Sequence, residues 1–273
     1  MIKKEIFKII GSKQRPILID IISKKRLNEN KVIVFSHGFK GFKDWGPFSK
    51  IAEHFALEGF IFVKFNFTHN GTTIDDPINF GDLDAFGNNN FSKELDDLNF
   101  VLDWIEGNLQ SSKISLFGHS RGGGISMLKT AEDDRVSNVI SWASPSDFTN
   151  RIPKDRIQLW KEKGVVFVYN GRTKQNMPMY YQFYEDCVTN KNRINIKNAI
   201  NRIKIPQLIV HGNDDPTVKI NEAENLKKWN PKAKMHIIDG ADHVFGGFHP
   251  YNLEEFPAHL KEAVNVTIDF LKR

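Results

Sequence analysis

Short runs of apolar residues alternate along this chain with longer stretches in which apolar residues recur every three or four positions. A continuous run such as Val32–Phe35 is typical of a strand buried on both faces, and the recurrence from Phe48 to Leu57 is typical of an amphipathic helix. Repeated units of a strand followed by a helix favour a mainly parallel sheet with helices on both faces. The pattern therefore predicts an α/β fold.

The first two predicted strands differ from the others because they form an antiparallel hairpin. A polar turn at Gly11-Ser12-Lys13 joins Ile2–Ile10 to Pro16–Ile22, and Pro16 suits the first position of a strand at a sheet edge. The remaining predicted strands are Phe60–Phe65, Ile114–Phe117, Val136–Trp142, Pro206–Val210 and Lys234–Ile238. The remaining predicted helices begin at a Ser92 cap, at Ile125, at about Glu222 and at Leu253, and the last two of them end at Trp229 and Leu271.

Two regions interrupt the regular alternation. Residues 66–90 form a polar stretch rich in Asn, Gly and Asp, and loops of that length in a compact domain are usually functional or mobile. From Pro145 to about Arg202 the chain combines a helical piece, a hairpin with an Asn170-Gly171 turn, and an aromatic segment. We therefore predict a single domain over residues 1–273 that carries a small insertion at about 145–202.

The composition is that of an ordinary globular protein, with 40% hydrophobic and 26% charged residues. The net charge of +5 comes from scattered lysines and arginines, whereas a nucleic-acid site needs a clustered basic stripe. No apolar run approaches the roughly 18 residues that a membrane span needs. We therefore predict no nucleic-acid partner and no membrane partner.

The N-terminus and the cysteine content bear on the compartment and on metal binding. Glu5 and Lys8 interrupt any apolar core of a signal peptide, so we predict a cytoplasmic protein. Cys187 is the only cysteine, which leaves no partner for an intramolecular disulfide and excludes a cysteine-based metal cage. Because the chain has neither His-Glu-x-x-His spacing nor a Gly-rich phosphate loop, we predict no metal and no cofactor.

The most informative stretch is Gly118-His119-Ser120-Arg121-Gly122, which follows a predicted strand and precedes a predicted helix. A turn tight enough to project a serine hydroxyl brings the flanking backbone very close, and the two glycines permit that approach because they lack a Cβ. This Gly-x-Ser-x-Gly spacing in a strand–turn–helix setting is the pattern of a nucleophile elbow. A five-residue pattern also arises by chance, so other residues must support it.

A serine hydroxyl is a weak nucleophile at neutral pH, so it needs a base, and the base needs a carboxylate that orients it. The strand that ends at Val210 is followed by the acids Asp214 and Asp215, and the strand that ends at Ile238 is followed by His243. The loops at the carboxyl ends of parallel strands share one edge of a sheet. We therefore expect these side chains to meet Ser120 there.

With these motifs in this order the chain resembles the α/β-hydrolase superfamily, and within it the cinnamoyl/feruloyl-esterase-like and serine-aminopeptidase-like branch. The order of serine, acid and histidine is the one found in that superfamily. The motifs that carry the resemblance span nearly the whole chain and are His37-Gly38-Phe39-x-Gly41, Gly118-His119-Ser120-Arg121-Gly122-Gly123, His211-Gly212-x-x-Asp215 and Gly240-Ala241-x-His243.

The resemblance implies a role for each motif. Ser120 would be the nucleophile, His243 the general base and then the general acid, and Asp215 the orienting carboxylate. The backbone amides of Phe39 and Arg121 would form the oxyanion hole. Since geometry rather than sequence position defines such a triad, two other carboxylates stay open as the acid, namely Asp214 and Asp147.

The insertion supplies the candidate substrate-binding residues. In the esterases that this chain resembles, an insertion at this point forms a lid over the serine and shapes the acyl pocket. The residues that we single out for contact with the substrate are Tyr169, Met179, Tyr180 and Tyr181. The alternative is that these side chains form only a small core within the insertion itself.

We therefore predict a serine esterase that cleaves a small-molecule carboxylic ester through an acyl-serine intermediate. One alternative is an aminopeptidase or acyl-peptide hydrolase, which retained cleavage of amino-acid amides would favour. Another alternative is a binding protein that keeps the fold without the activity, for which a missing triad residue would be the signature. No triad residue is missing from the sequence.

Overall fold

The computed structural model describes residues 1–24, 31–109, 113–150 and 152–273. The strands are β1 (Ile2–Ile10), β2 (Pro16–Lys24), β3 (Lys31–Ser36), β4 (Ile61–Phe65), β5 (Lys113–His119), β6 (Val136–Trp142), β7 (Val165–Asn170), β8 (Gln175–Tyr180), β9 (Gln207–Gly212) and β10 (Lys234–Ile238). The helices are α1 (Phe48–Leu57), α2 (Leu83–Gly87), α3 (Phe91–Asn108), α4 (Arg121–Thr130), α5 (Ile157–Lys163), α6 (Gln182–Thr189), α7 (Ile196–Arg202), α8 (Ile220–Trp229) and α9 (Ala258–Leu271).

One large sheet organises the molecule, with its strands in the order β1-β2-β4-β3-β5-β6-β9-β10. The strands from β4 to β10 in that order run parallel to one another. At the other end β1 pairs antiparallel with β2, and β2 pairs antiparallel with β4. The predicted N-terminal hairpin and the predicted mainly parallel sheet are both confirmed.

Each face of the sheet is covered by helices. Along β3, Val32 and Val34 belong to the core that α3, α4, α7 and α8 share. The alternate residues Ile33 and Phe35 belong to the core on the opposite face, which α1 and α9 complete. A strand buried on both faces has no polar side, which explains the continuous apolar run in the sequence.

The starts of α3 and α4 differ from their predictions. Helix α3 is capped by Asn90, whose side chain accepts a hydrogen bond from the Lys93 amide, while the Ser92 hydroxyl donates to Asp186. Helix α4 begins at Arg121 instead of Ile125, directly after the sharp turn at the preceding serine.

The C-terminal helix and the long polar loop also differ from their predictions. Helix α9 begins at Ala258 rather than Leu253, since Pro257 precedes it in an extended conformation and proline is tolerated only at a helix start. The polar stretch 66–90 contains the short helix α2, whose first turn is capped by the Asp82 carboxylate accepting from the Ala85 amide.

The predicted insertion contributes two kinds of structure. The hairpin β7–β8 is confirmed, with Val165 opposite Tyr180 and Asn170 opposite Gln175. It lies outside the main sheet and packs against α2. Helix α7, in contrast, packs against α4 and α8 and so continues the helical layer of the main body. Of the predicted insertion, residue 151 lies outside the described residues.

Candidate active site

Ser120 lies in the tight turn between β5 and α4 and has a φ of 55°, an uncommon value for a residue other than glycine. Its amide donates to the Trp142 carbonyl at 2.8 Å. A Cβ at Gly118 would lie 2.1 Å from the Gly122 carbonyl oxygen, and one at Gly122 would lie 2.0 Å from the Ser36 carbonyl oxygen. Only glycine fits these two positions, so the motif spacing follows from backbone contact.

The loops after β9 and β10 bring a carboxylate and an imidazole to this serine. His243 Nε2 lies 3.0 Å from Ser120 Oγ, and His243 Nδ1 lies 2.7 Å from Asp215 Oδ2. Because a carboxylate accepts at Nδ1, that nitrogen carries the proton, and Nε2 is left free to accept from the serine hydroxyl.

Asp215 is held as a carboxylate. Burial alone would raise its pKa, but hydrogen bonds from His243 and from the amides of Val218 and Thr217 outweigh burial and hold the pKa below its usual value. The two amides donate to Oδ1 at 2.8 and 2.7 Å, so Oδ2 faces the imidazole.

The two alternative acids lie elsewhere. Asp214 is exposed, and its amide donates to the Ala241 carbonyl. The Asp147 carboxylate accepts from the amides of Thr149 and Asn150, which closes the turn after β6. Of the three carboxylates, the structure therefore places Asp215 against the imidazole.

The other histidines of the motifs are buried and hydrogen-bonded to backbone. Burial lowers the pKa of His119 to about 3, so its ring is neutral and its Nε2–H donates to the His243 carbonyl oxygen at 2.8 Å. Burial likewise lowers the pKa of His37 to about 4. His37 Nδ1–H donates to the Gly38 carbonyl at 3.0 Å, and Nε2 accepts from the Phe67 amide at 3.3 Å. These rings hold the loops around the serine in place.

The loop after β3, which carries the Phe39 amide, lies against the serine. A Cβ at Gly38 would lie 3.1 Å from the Ser120 Cβ, so the loop passes very close to the hydroxyl. The Asn70 side chain donates to the Gly41 carbonyl at 3.2 Å and fixes the loop from outside. Within the described residues, the backbone amides of Phe39 and Arg121 donate no hydrogen bond, so both are available to a ligand.

A cavity of about 220 Å³ opens in front of Ser120 and His243. Its apolar walls are Phe39, Trp45 and Phe48. Its polar wall includes Lys40, Asn170 and Arg172, the last two from the tip of the hairpin β7–β8.

The polar wall is cationic and contains an unused donor. Burial lowers the pKa of Lys40 and that of Arg172, and neither cation has a carboxylate within 4.0 Å among the described residues. Lys40 Nζ donates to the Tyr169 carbonyl at 3.0 Å. Asn170 is buried, its Oδ1 accepts from the Arg172 amide at 3.2 Å, and its Nδ2 has no hydrogen-bond partner in the described part of the chain.

The four residues predicted for substrate contact do not line this cavity as far as the structure describes it. The Tyr169 side chain is exposed. The Met179 carbonyl accepts from the Trp160 indole, and Met179 packs against the core. The Tyr180 hydroxyl donates to Asp84 at 3.0 Å. The Tyr181 ring packs on the rings of Trp160 and Tyr184.

Sequence reasoning missed Lys40, Asn170 and Arg172 as cavity residues. The Asn170-Gly171 pair was informative only as a turn signal, and the placement of Asn170 at the cavity depends on how the hairpin packs. Among the described residues, no group of three or more His, Cys, Asp or Glu side chains is arranged to hold a metal ion. No helix in the described ranges is both long and apolar enough to cross a bilayer.

The sequence profile of the dienelactone hydrolase family matches residues 20–273. The chain belongs to this family. It is therefore a member of a hydrolase family, and the match includes the segments that carry Ser120, Asp215 and His243.

Among curated proteins, this dienelactone hydrolase family member is similar to the uncharacterized peptidase YtmA of Bacillus subtilis, with 25% identity over 143 residues. The similarity spans 50% of this chain and 50% of the length of that relative.

Two solved structures have the same fold. Est1E from Butyrivibrio proteoclasticus with bound ferulic acid has a TM-score of 0.76 at 16% identity and covers 97% of this chain and 98% of its own. The α/β hydrolase GrgF from Penicillium has a TM-score of 0.75 at 15% identity, and the match covers 99% of this chain and 98% of GrgF. At these identities the likeness concerns the fold, and it confirms the predicted α/β-hydrolase architecture.

Proposed function

We propose that this protein is a serine hydrolase that cleaves carboxylic esters through an acyl-serine intermediate. The observation that carries the proposal is the continuous contact from Ser120 Oγ to His243 Nε2 at 3.0 Å and from His243 Nδ1 to Asp215 Oδ2 at 2.7 Å. These distances let one imidazole take a proton from the hydroxyl while a carboxylate stabilises the resulting imidazolium.

In the acylation half, Ser120 Oγ attacks the carbonyl carbon of the ester while His243 Nε2 takes the hydroxyl proton. The tetrahedral intermediate collapses when the imidazolium gives that proton to the leaving alcohol oxygen. Asp215 stays ionised throughout, which agrees with its lowered pKa, and it holds the ring in the productive orientation.

In the deacylation half, a water molecule replaces the alcohol. His243 takes a proton from the water, whose oxygen attacks the acyl carbon, and the same proton then returns to Ser120 Oγ as the acid leaves. In both halves the negative charge on the carbonyl oxygen would be stabilised by the Phe39 and Arg121 amides. These steps need no cofactor, and the absence of a cofactor stays a prediction, as does a cytoplasmic location.

The cavity suggests the kind of ester. Its volume of about 220 Å³ is below the roughly 300–1,000 Å³ typical of drug-sized ligands, so a small acyl group fits it better than a long chain. We infer that the β7–β8 hairpin acts as the lid, since its tip residues Asn170 and Arg172 line the same cavity as Ser120. Their donors, together with Lys40, favour an ester that carries a second, anionic group.

A peptidase activity is the second candidate, because the curated relative YtmA is named a peptidase. The same three side chains would cleave an amide if His243 protonates the leaving amine. A parallel set of amino-acid p-nitroanilides measures this directly. Higher kcat/KM for the anilides than for esters with the same acyl group would favour the peptidase.

The test of the proposed function is Ser120→Ala, assayed with short-chain p-nitrophenyl esters. Removing the hydroxyl removes the nucleophile, so we expect activity to fall by about 10⁴-fold or more while the thermal unfolding curve stays close to that of the wild type. Unchanged turnover in the Ser120→Ala variant would show that this serine is not the nucleophile.

A further inference from the structure

The two residues whose amides would form the oxyanion hole also contact each other through their side chains. The Arg121 guanidinium carbon lies 4.1 Å from the centroid of the Phe39 ring. A second neighbour of that ring is Phe86, with 5.5 Å between centroids and 34° between the ring planes. The Phe39 ring therefore contacts both a planar cation and an aromatic side chain.

The guanidinium itself is fixed from other sides. It lies 5.0 Å from the Phe91 ring centroid and 5.6 Å from that of Phe183. Its Nη1 lies 3.3 Å from Glu94 Oε1, and the Glu94 side chain is only 4% exposed. The Asn89 side chain donates to the same oxygen at 2.6 Å. A buried acid and aromatic rings thus determine where the planar cation lies.

We propose that Arg121 is a positioning residue whose side chain, anchored by Glu94 and stacked on Phe39, sets the distance between the two oxyanion-hole amides. This proposal rests on the proposed function, because it concerns the same oxyanion hole. It adds a side-chain role to two residues whose motif assignments concern only the main chain.

The chain topology leaves the Phe39 amide outside the strand pairing of the main sheet. The Phe39 amide belongs to the loop after β3 and the Arg121 amide to the start of α4, 82 positions further along the chain, as their numbers show. Strand pairing fixes the ends of β3 and β5, but Phe39 lies three residues beyond the last paired residue, Ser36. Stacking of ring on guanidinium joins the two segments beyond the sheet.

A purely structural role would look different in kinetics. If the ion pair with Glu94 only stabilised the fold, Arg121 variants would contain fewer active molecules, but each active molecule would turn over normally. If the stack positions the amides, each active molecule is slower, because a displacement of about 1 Å costs roughly 10²-fold in rate. Rates must therefore be divided by the concentration of active sites, titrated by the acylation burst.

The decisive variants are Arg121→Met, Arg121→Lys and Phe39→Leu, assayed with a p-nitrophenyl ester. Each keeps the main-chain amide. We expect kcat per active site to fall by about tenfold to a hundredfold in Arg121→Met and in Phe39→Leu, with KM changed by less than about threefold. Arg121→Lys restores the charge without the planar face, so it should not restore kcat.

Two further measurements make the result specific. A boronic acid that forms a tetrahedral adduct with the serine should lose affinity by the same factor as kcat/KM, because it also needs the oxyanion hole. The double variant Phe39→Leu/Arg121→Met should be no slower than the slower single variant, because the two substitutions remove the same contact between ring and guanidinium. Arg135→Met is the matched control, an arginine paired with Asp133 away from the cavity, and should keep the wild-type kcat.

The proposal is overturned if kcat per active site stays within twofold of the wild type in Arg121→Met and Phe39→Leu, if only KM changes, or if Arg121→Lys restores full activity. If Arg121→Met does not fold, Phe39→Leu carries the same test, because it leaves the guanidinium paired with Glu94. Failure of the serine hydrolase assignment is recognised separately, by an active Ser120→Ala variant.

Discussion

At the scale of single residues, the site depends on which nitrogen of each imidazole carries the proton. His243 carries it on Nδ1 toward Asp215, whereas His119 and His211 carry it on Nε2 toward backbone carbonyls, each at 2.8 Å. Burial lowers the pKa of both of these buried rings, so they donate as neutral groups. The His119 bond holds the loop that carries His243. The His211 bond holds Val218, whose amide in turn donates to Asp215.

Asp215→Asn tests the identity of the acid. An amide at this position would favour the wrong tautomer of His243, so we expect kcat/KM for a p-nitrophenyl ester to fall by about 10⁴-fold. The matched change is Asp214→Asn at the neighbouring exposed carboxylate, for which we expect activity within about twofold of the wild type. Equal losses in the two variants would contradict the assignment of Asp215.

At the scale of elements, the turn from β5 into α4 is set by backbone contacts. Gly122 lies in α4, where a Cβ would overlap the Ser36 carbonyl oxygen of β3. The overlap is with main chain of the central sheet, which cannot move aside as a flexible side chain would. The close packing of α4 on the sheet is what holds Ser120 in its strained conformation.

Gly122→Ala should therefore lower the free energy of unfolding by about 3 kcal/mol or more, the upper end of overpacking costs. Gly107→Ala is the contrasting change, since nothing lies within 4 Å of a Cβ at this exposed position in α3. It should raise the free energy of unfolding by about 0.5–1 kcal/mol. Urea unfolding of both variants measures these changes. A change in the free energy of unfolding in the same direction for the two substitutions would refute the argument.

The hairpin β7–β8 is the element that would select the substrate. In Asn170→Asp, the acceptor for the Arg172 amide is kept and only the free Nδ2 donor is replaced, by a negative charge. We expect the wild type to have a higher kcat/KM for monomethyl succinate, which carries a carboxylate, than for dimethyl succinate. In Asn170→Asp, the ratio of these two kcat/KM values should fall by at least about tenfold.

Proton release measures both reactions without a chromophore. The control is Lys163→Gln, which makes the same change of one unit in net charge at an exposed position in α5, and should keep the preference. A wild-type enzyme that hydrolyses both esters equally well would exclude a charge-selective hairpin while leaving the esterase assignment intact.

At the scale of the whole molecule, buried neutral histidines couple folding to pH. Burial lowers the pKa of His37 and of His69 to about 4 and that of His119 to about 3, from a usual value of 6.5. Between these values the unfolded chain binds protons that the folded protein does not. Each of these residues therefore contributes stability that is fully present above pH 6.5, and that contribution is lost as the pH falls toward 4 for His37 and His69 and toward 3 for His119.

His69 isolates this effect because it lies outside the candidate site. As the pH falls from 6 to 5, the free energy of unfolding of the wild type should decrease by about 1 kcal/mol more than that of His69→Asn. Urea unfolding of both proteins at pH 7, 6 and 5 measures the difference. A difference that does not change with pH would show that this ring is not held neutral.

Much of the fold was predictable because its signals are local. The continuous apolar run Val32–Phe35 was enough to predict a strand buried on both faces, and the structure places its alternate residues in two cores. The predicted cap of α3 failed because a distant group takes the side chain of the predicted cap residue. Ser92 binds Asp186, 94 positions away, and so leaves the cap to Asn90.

The sequence by itself determined the strands of the main sheet, most of the helices that cover it and the serine, acid and histidine of the candidate triad, because hydrophobic period and motif spacing are properties of neighbouring residues. Only the tertiary structure decided that Asp215 rather than Asp214 faces His243, that Asn170 and not the tyrosines of the insertion reaches the cavity, and that Arg121 stacks on Phe39. Each of these contacts joins segments far apart in the chain, and packing alone brings them together.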